Sequence, residues 1–159
     1  MWMTILAVLI GGILATASGF ITQLWLFHQE RKAIAHALAG EINAILNIVR
    51  RRGYLEAFHE LIEKVKQTQK PSKIVIQVKM EYFNVYKSNT DKIGRLPQKL
   101  TQRLVNFYTV AFSMIEDVLP ESRHPKTVEE SLRILEALRD MGKLLVEDGT
   151  LLVEELQRV

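Results

Sequence analysis

The chain has 159 residues, no cysteine, 21 Lys and Arg against 18 Asp and Glu, a formal charge of +3 and 48% apolar residues. Its length is that of one domain, and the lack of thiols excludes disulfide-stapled modules, thiolate zinc sites and cysteine nucleophiles. Eight Gly and four Pro in a chain this apolar exclude collagen-like and disordered classes.

The apolar residues are unevenly placed. Residues 1 to 27 contain 19 of them and no Asp, Glu, Lys or Arg. A helix of that length runs about 40 Å, enough for a hydrocarbon core of about 30 Å. Trp2 and Trp25 stand near its ends, about 34 Å apart along a helix, where indole rings favour the two headgroup levels. A cleaved secretory signal is the rival reading, with Ala15-Thr16-Ala17 as the small-residue site, but there is no basic n-region and the apolar run continues beyond it. Residues 1 to 27 are therefore expected to be a transmembrane anchor, and 28 to 159 a separate cytoplasmic domain. Arg31 and Lys32, then Arg50, Arg51 and Arg52, follow the span and no Lys or Arg precedes it, so the N-terminus is expected outside. Ala7, Gly11, Ala15 and Gly19 recur every four residues, with Gln23 on the same stripe. Such a stripe lets a second helix approach closely where lipid gives no hydrophobic drive.

Ile34, Leu38, Ile42, Ile45 and Val49 continue at helical spacing, which predicts one long helix to about Arg52, with Gly40 as the place where a bend costs least. Arg51-Arg52-Gly53 reads as its end. A second helix carries Tyr54, Phe58, Leu61, Ile62 and Val65 on one face and must finish before Pro71. From Ile74 to Tyr82 apolar side chains fall on alternate positions, a strand-like pattern. With no partner strand in view, a short extended crossover is expected, followed by a helix from about Met80 to Ile93; intermolecular pairing is the alternative. Pro97 opens the next helix, with Leu100, Leu104, Phe107, Tyr108, Ala111, Ile115 and Val118 as its buried face, and Pro120 ends it. Thr127 and Glu130 form a capping box for the last helix, which carries Val128, Leu132, Leu135, Leu138, Leu145, Leu152 and Leu156. Gly142 and Gly149 lie near that stripe and permit close helix approach. The expected fold is mainly α: one N-terminal transmembrane helix continuing into a cytoplasmic helical bundle of about four helices.

Charge divides along the chain. Residues 28 to 103 hold 15 basic and 7 acidic side chains, net +8; residues 104 to 159 hold 6 and 11, net −5. The leading expectation is that the two halves pair with one another across helices. Arg50, Arg51 and Arg52 are the basic candidates for contact with a protein partner. On a straight helix they stand about 35 Å from the membrane, beyond several Debye lengths, so attraction to anionic lipid would need a bent helix. No recognition helix or aromatic RNA motif accompanies them, and nucleic acid is not an expected partner.

Candidate chemistry is sparse. Ala35-His36-Ala37-Leu38-Ala39-Gly40 resembles a histidine-phosphotransfer motif, but Ala39 stands where that family carries Lys. Glu56-x-x-His59 and Glu121-x-x-His124 have the spacing of di-iron carboxylate bundles, yet Pro120 and Pro125 bracket the second. There is no Walker loop, H-E-x-x-H or serine elbow. No catalytic residue, metal or cofactor is expected.

Tyr82-Phe83-Asn84-Val85-Tyr86, Ile93-Gly94-Arg95-Leu96-Pro97 and Val105-Asn106-Phe107-Tyr108 form a pattern similar to one in uncharacterised single-span inner-membrane proteins of proteobacteria. The resemblance implies a bacterial inner-membrane location and no particular activity. The expected function is a non-enzymatic accessory or scaffolding subunit. Its expected partners are the bilayer, another transmembrane helix from a second copy or a larger complex, and a protein docked on the bundle. A phosphotransfer-like signalling module and a membrane-active phage or toxin protein are the alternatives.

Overall fold

A computed structural model describes the backbone of residues 2–159 and the side chains of residues 11, 12 and 16–159. Helix α1 (Trp2–Arg51) is one uninterrupted element, continuous through Gly40. It stops where Gly53 takes a left-handed conformation, φ 61°, which costs a residue without Cβ little. Gly53 is also the N-cap of α2 (Tyr54–Thr68), so one glycine ends one helix and begins the next. A short α3 (Asn84–Ser88) follows, then α4 (Gln98–Val118) and α5 (Val128–Gln157).

Helix α5 is the centre of the bundle: α1, α2 and α4 all pack on it, and α3 packs on α1. Two apolar clusters result. One joins Ile34, Leu38, Ile42 and Leu46 of α1 to Leu104, Phe107 and Tyr108 of α4 and to Leu145, Leu152 and Leu156 of α5. The other joins Phe58, Ile62 and Val65 of α2 to Val118, Leu135 and Leu138. The expected four-helix bundle is thus built from the C-terminal part of α1 with α2, α4 and α5.

The glycines of α5 serve contacts within the chain. A Cβ on Gly149 would lie 2.7 Å from Phe107 Cε2, and one on Gly142 would lie 2.8 Å from Leu55 Cδ2. Both are places where a neighbouring helix's side chain meets the α5 backbone.

One expectation is corrected, and the expected extended crossover is found. Residues 80 to 93 do not form one helix: 3₁₀ turns at Met80–Phe83 and Ile93–Arg95 flank the short α3. Asn89 ends it, its side-chain amide donating to the Val85 carbonyl at 2.8 Å, a local bond that competes with helix propagation. The alternating segment forms an extended strap, and no strand occurs among the described residues. Its backbone donates once to α4, from Ile76 to the Val118 carbonyl at 2.9 Å. Ile74, Ile76 and Val78 turn inward onto the second cluster, while Val75, Gln77 and Lys79 are exposed. Lys73 fixes one end, its ammonium donating to the carbonyls of Leu119, Pro120 and Ser122 and so compensating the C-terminus of α4. Ser131 fixes it too, bonding both the N–H and the carbonyl of Ser72.

Among the described residues no helix is long and apolar enough to cross a membrane. They do not by themselves make the expected span of residues 1 to 27; residues 1–10 and 13–15, which supply much of its apolar run, lie outside the described side chains.

Candidate functional site

A buried carboxylate holds the segment between α2 and α4 in place. Glu41 sits on the inner face of α1, only 9% exposed. One oxygen accepts the Val85 N–H at 2.5 Å; the other accepts the Tyr86 N–H at 3.0 Å and the Tyr108 hydroxyl at 2.7 Å. Amides at the start of a helix are ready donors to an anion, and here the anion comes from 44 residues earlier in the chain. Above it the Tyr86 ring stacks on Tyr108, centroids 3.8 Å apart, with Phe83, Phe107 and Phe112 around the pair. The aromatic residues of the sequence pattern around Tyr82–Tyr86 and Phe107-Tyr108 therefore meet in one cluster.

Burial first, and the bond to Glu41 second, push the Tyr108 phenol far above the usual tyrosine range; burial raises Tyr86 in the same direction. In the unfolded chain both ionise near pH 10. Above that pH the folded state binds more protons, so this contribution to stability is complete below about pH 10 and declines as pH rises further. Urea unfolding at pH 8 and at about pH 11 should show a steeper alkaline loss for the wild type than for Tyr108→Phe, although the variant is less stable at pH 8.

The apolar end of α1 leaves the bundle at a basic collar. Residues 16–30 are all exposed, including Phe20, Ile21, Leu24 and Trp25, and burial begins with Ile34 and Ala35. Arg95 reaches from the turn before α4 to pair with Glu30, and its guanidinium lies 5.8 Å from the Phe27 ring centroid. Arg31 and Lys32 are half-buried beside it, and Arg31 Nε has no hydrogen-bond partner among the described residues. Arg95 was not singled out by its position in the sequence; only tertiary folding brings it to residues 27 to 30.

Of the expected helix-packing residues, Gly11 and Gly19 face open space, with nothing within 4 Å of an added Cβ, and Gln23 is exposed. Trp25 is 60% exposed. Trp2, Ala7 and Ala15 lie outside the described side chains.

The three arginines at the end of α1 do not act as one patch. Arg50 donates to Thr150 Oγ1 at 3.0 Å, Arg51 is exposed, and Arg52 donates to the Tyr54 hydroxyl at 2.9 Å. The Tyr54 bond, with Tyr82 close by, raises the pKa of Arg52. Among the described residues Arg103 alone carries ion pairs from the basic segment to the acidic one, to Glu155 and Asp148. Pairing between the two halves is therefore confined to one side chain, and most of their charge faces solvent.

Tyr54 and Tyr82 also line a cavity of about 100 Å³ between the two apolar clusters. Its walls are carbon almost throughout, from Ile45, Phe58, Val78, Ala111, Met114 and Leu145.

All four histidines are exposed, and Glu121 and His124 lie in the loop between α4 and α5 rather than on a helix. Among the described residues no group of three His, Asp or Glu could hold a metal. No protein-family model, curated protein or solved structure matches the chain.

Proposed function

We propose that this protein is a membrane-anchored, non-enzymatic adaptor: the N-terminal part of α1 inserts in the bilayer and packs against another helix, while the bundle presents a docking face to a cytoplasmic protein. The observation that carries this reading is the contrast within one helix. Its first part has no ionisable side chain through Phe27 and exposes Phe20, Ile21, Leu24, Trp25, Leu26 and Phe27 by about half or more; its second part buries one face in the core. A contiguous apolar surface of that kind needs an apolar environment.

Two further features support the same reading. The hydroxyls of Thr16 and Thr22 donate to the carbonyls of Gly12 and Ser18, bonds that satisfy polar groups inside the helix itself, as lipid requires. Arg31, Lys32 and Arg95 gather just past Phe27, where cations favour anionic cytoplasmic headgroups by about 1 kcal/mol each. The sequence resemblance to single-span inner-membrane proteins points the same way and suggests a bacterial inner membrane with the bundle inside.

Alkaline carbonate extraction of cells expressing the full chain tests the anchor. The wild type should stay in the membrane pellet, and Gly12→Arg with Ala17→Arg should shift most of it to the supernatant, since each charge costs about 3 kcal/mol at mid-span. Release of the wild type by carbonate would sink the reading. Mild-detergent purification tests the adaptor role. A stoichiometric second protein should accompany the wild type and be reduced by Gly11→Leu with Gly19→Leu; a chain that elutes alone would leave no adaptor.

A further inference from the structure

We propose that the cavity between the two apolar clusters is a binding site for a fatty acid, with a segment of the acyl chain inside and the carboxylate at Arg52. The cavity occupies the seam where α1, α2, α4 and α5 come together with the strap, and its walls belong to both clusters. A dry apolar hole of about 150 Å³ accepts benzene; at about 100 Å³ this one accommodates a segment of a narrow, flexible chain rather than a ring system. Nothing in its wall would orient a polar ligand, apart from the edge formed by Tyr54, Tyr82 and Gln77.

That edge is where the charge lies. Arg52 holds the Tyr54 hydroxyl at 2.9 Å, with Tyr82 beside it, so the polar ends of two cavity-lining rings converge on one guanidinium. The guanidinium is exposed and has no carboxylate partner among the described residues, while a planar fork of N–H donors matches a carboxylate. An apolar slot lined by a tyrosine whose hydroxyl is bonded to a cation without a carboxylate partner selects an anionic amphiphile over a neutral or cationic one of equal length. A phosphate-headed single-chain lipid shares this chemistry, and decyl phosphate competing better than decanoate would overturn the fatty-acid assignment.

The test uses the full chain in nanodiscs, labelled with a photoactivatable diazirine fatty acid and mapped by mass spectrometry. Label is expected on α4 and α2 peptides that contain Met114, Ala111 or Phe58. Decanoate should compete it away, and decanol or decyltrimethylammonium at the same concentration should do so at least several-fold less well. Ala111→Leu, which fills the slot, should abolish the α4 label while leaving label within residues 1 to 27 unchanged. Arg52→Gln, a change at an exposed position, should reduce the α4 label several-fold and erase the preference for decanoate. Label restricted to residues 1 to 27, or α4 label indifferent to both variants, would overturn the proposal. If Ala111→Leu alters the helical circular dichroism, the Arg52→Gln result and the competition series decide it.

Discussion

Glu41→Ala should lower stability by about 3–5 kcal/mol, because three donors lose their acceptor and one of them is fully buried. The carboxylate accepts three hydrogen bonds, from the Val85 N–H, the Tyr86 N–H and the fully buried Tyr108 hydroxyl. Each donor left unsatisfied costs about 1–3 kcal/mol, offset in part where water can reach the edge of α3. In a domain of this size, 1 kcal/mol moves Tm by roughly 2–4 °C, so a loss of roughly 6–20 °C is expected. Glu41→Gln should fall between the two proteins. Its carbonyl oxygen can keep the Tyr86 and Tyr108 bonds, but its amide would face the Val85 N–H donor to donor. Hydrogen exchange gives the local readout: in Glu41→Ala the Val85 and Tyr86 amides should lose protection before those of α5. Unchanged exchange at both amides would mean that α3 is held by its aromatic packing alone.

The signal for this network was present in the sequence but not sufficient. Glu41 lies three residues after Leu38 and four before Ile45, on the buried face of α1, so an acidic residue interrupts an apolar stripe. Nothing in the spacing names its partners, because they lie 44 to 67 residues away and two of them are backbone amides. The long helices were legible for the opposite reason: their buried faces repeat at 3.6 residues, and local chemistry marks their ends. Gly53 at φ 61° and Pro97 at the cap of α4 stand where their residue types require.

The capping box at α5 is only half as expected. Thr127 accepts from the Glu130 N–H, but the Glu130 carboxylate takes the Lys126 N–H in place of that of Thr127. Alternation in residues 74 to 78 correctly separates inward from outward side chains, but an extended chain can alternate without pairing as a strand. What anchors it is Lys73 at the end of α4, a contact that only the fold creates. Charge was the least legible property. Segment totals say nothing about which residues face one another, and Arg103 alone realises the expected pairing among the described residues.

The glycines divide by sign, and this gives the second large effect. At Gly40, exposed on α1 with open space at Cβ, Ala should stabilise by up to about 1 kcal/mol through helix propensity. Gly149 gains the same propensity term, but its Cβ would lie 2.7 Å from Phe107 Cε2 and 3.0 Å from Leu46 Cδ2. Both neighbours are core, at 4% and 1% exposure, and the Phe107 ring edge packs in turn against Tyr108. Overpacking costs about 1–3 kcal/mol and outweighs the propensity gain, so Gly149→Ala should be destabilising by roughly 1–2 kcal/mol. Gly149→Leu places four carbons where one does not fit, and should reach or exceed the upper end of that overpacking range. The α1 and α5 contact would then have to open, with loss of cooperative unfolding as well as of Tm. A double variant with Phe107→Ala makes the cause visible: if the clash is steric, Gly149→Ala should cost less in the Phe107→Ala background than alone. Equal costs in the two backgrounds would locate the effect in the Leu46 contact with α1 or in the α5 backbone, and not in the contact with α4.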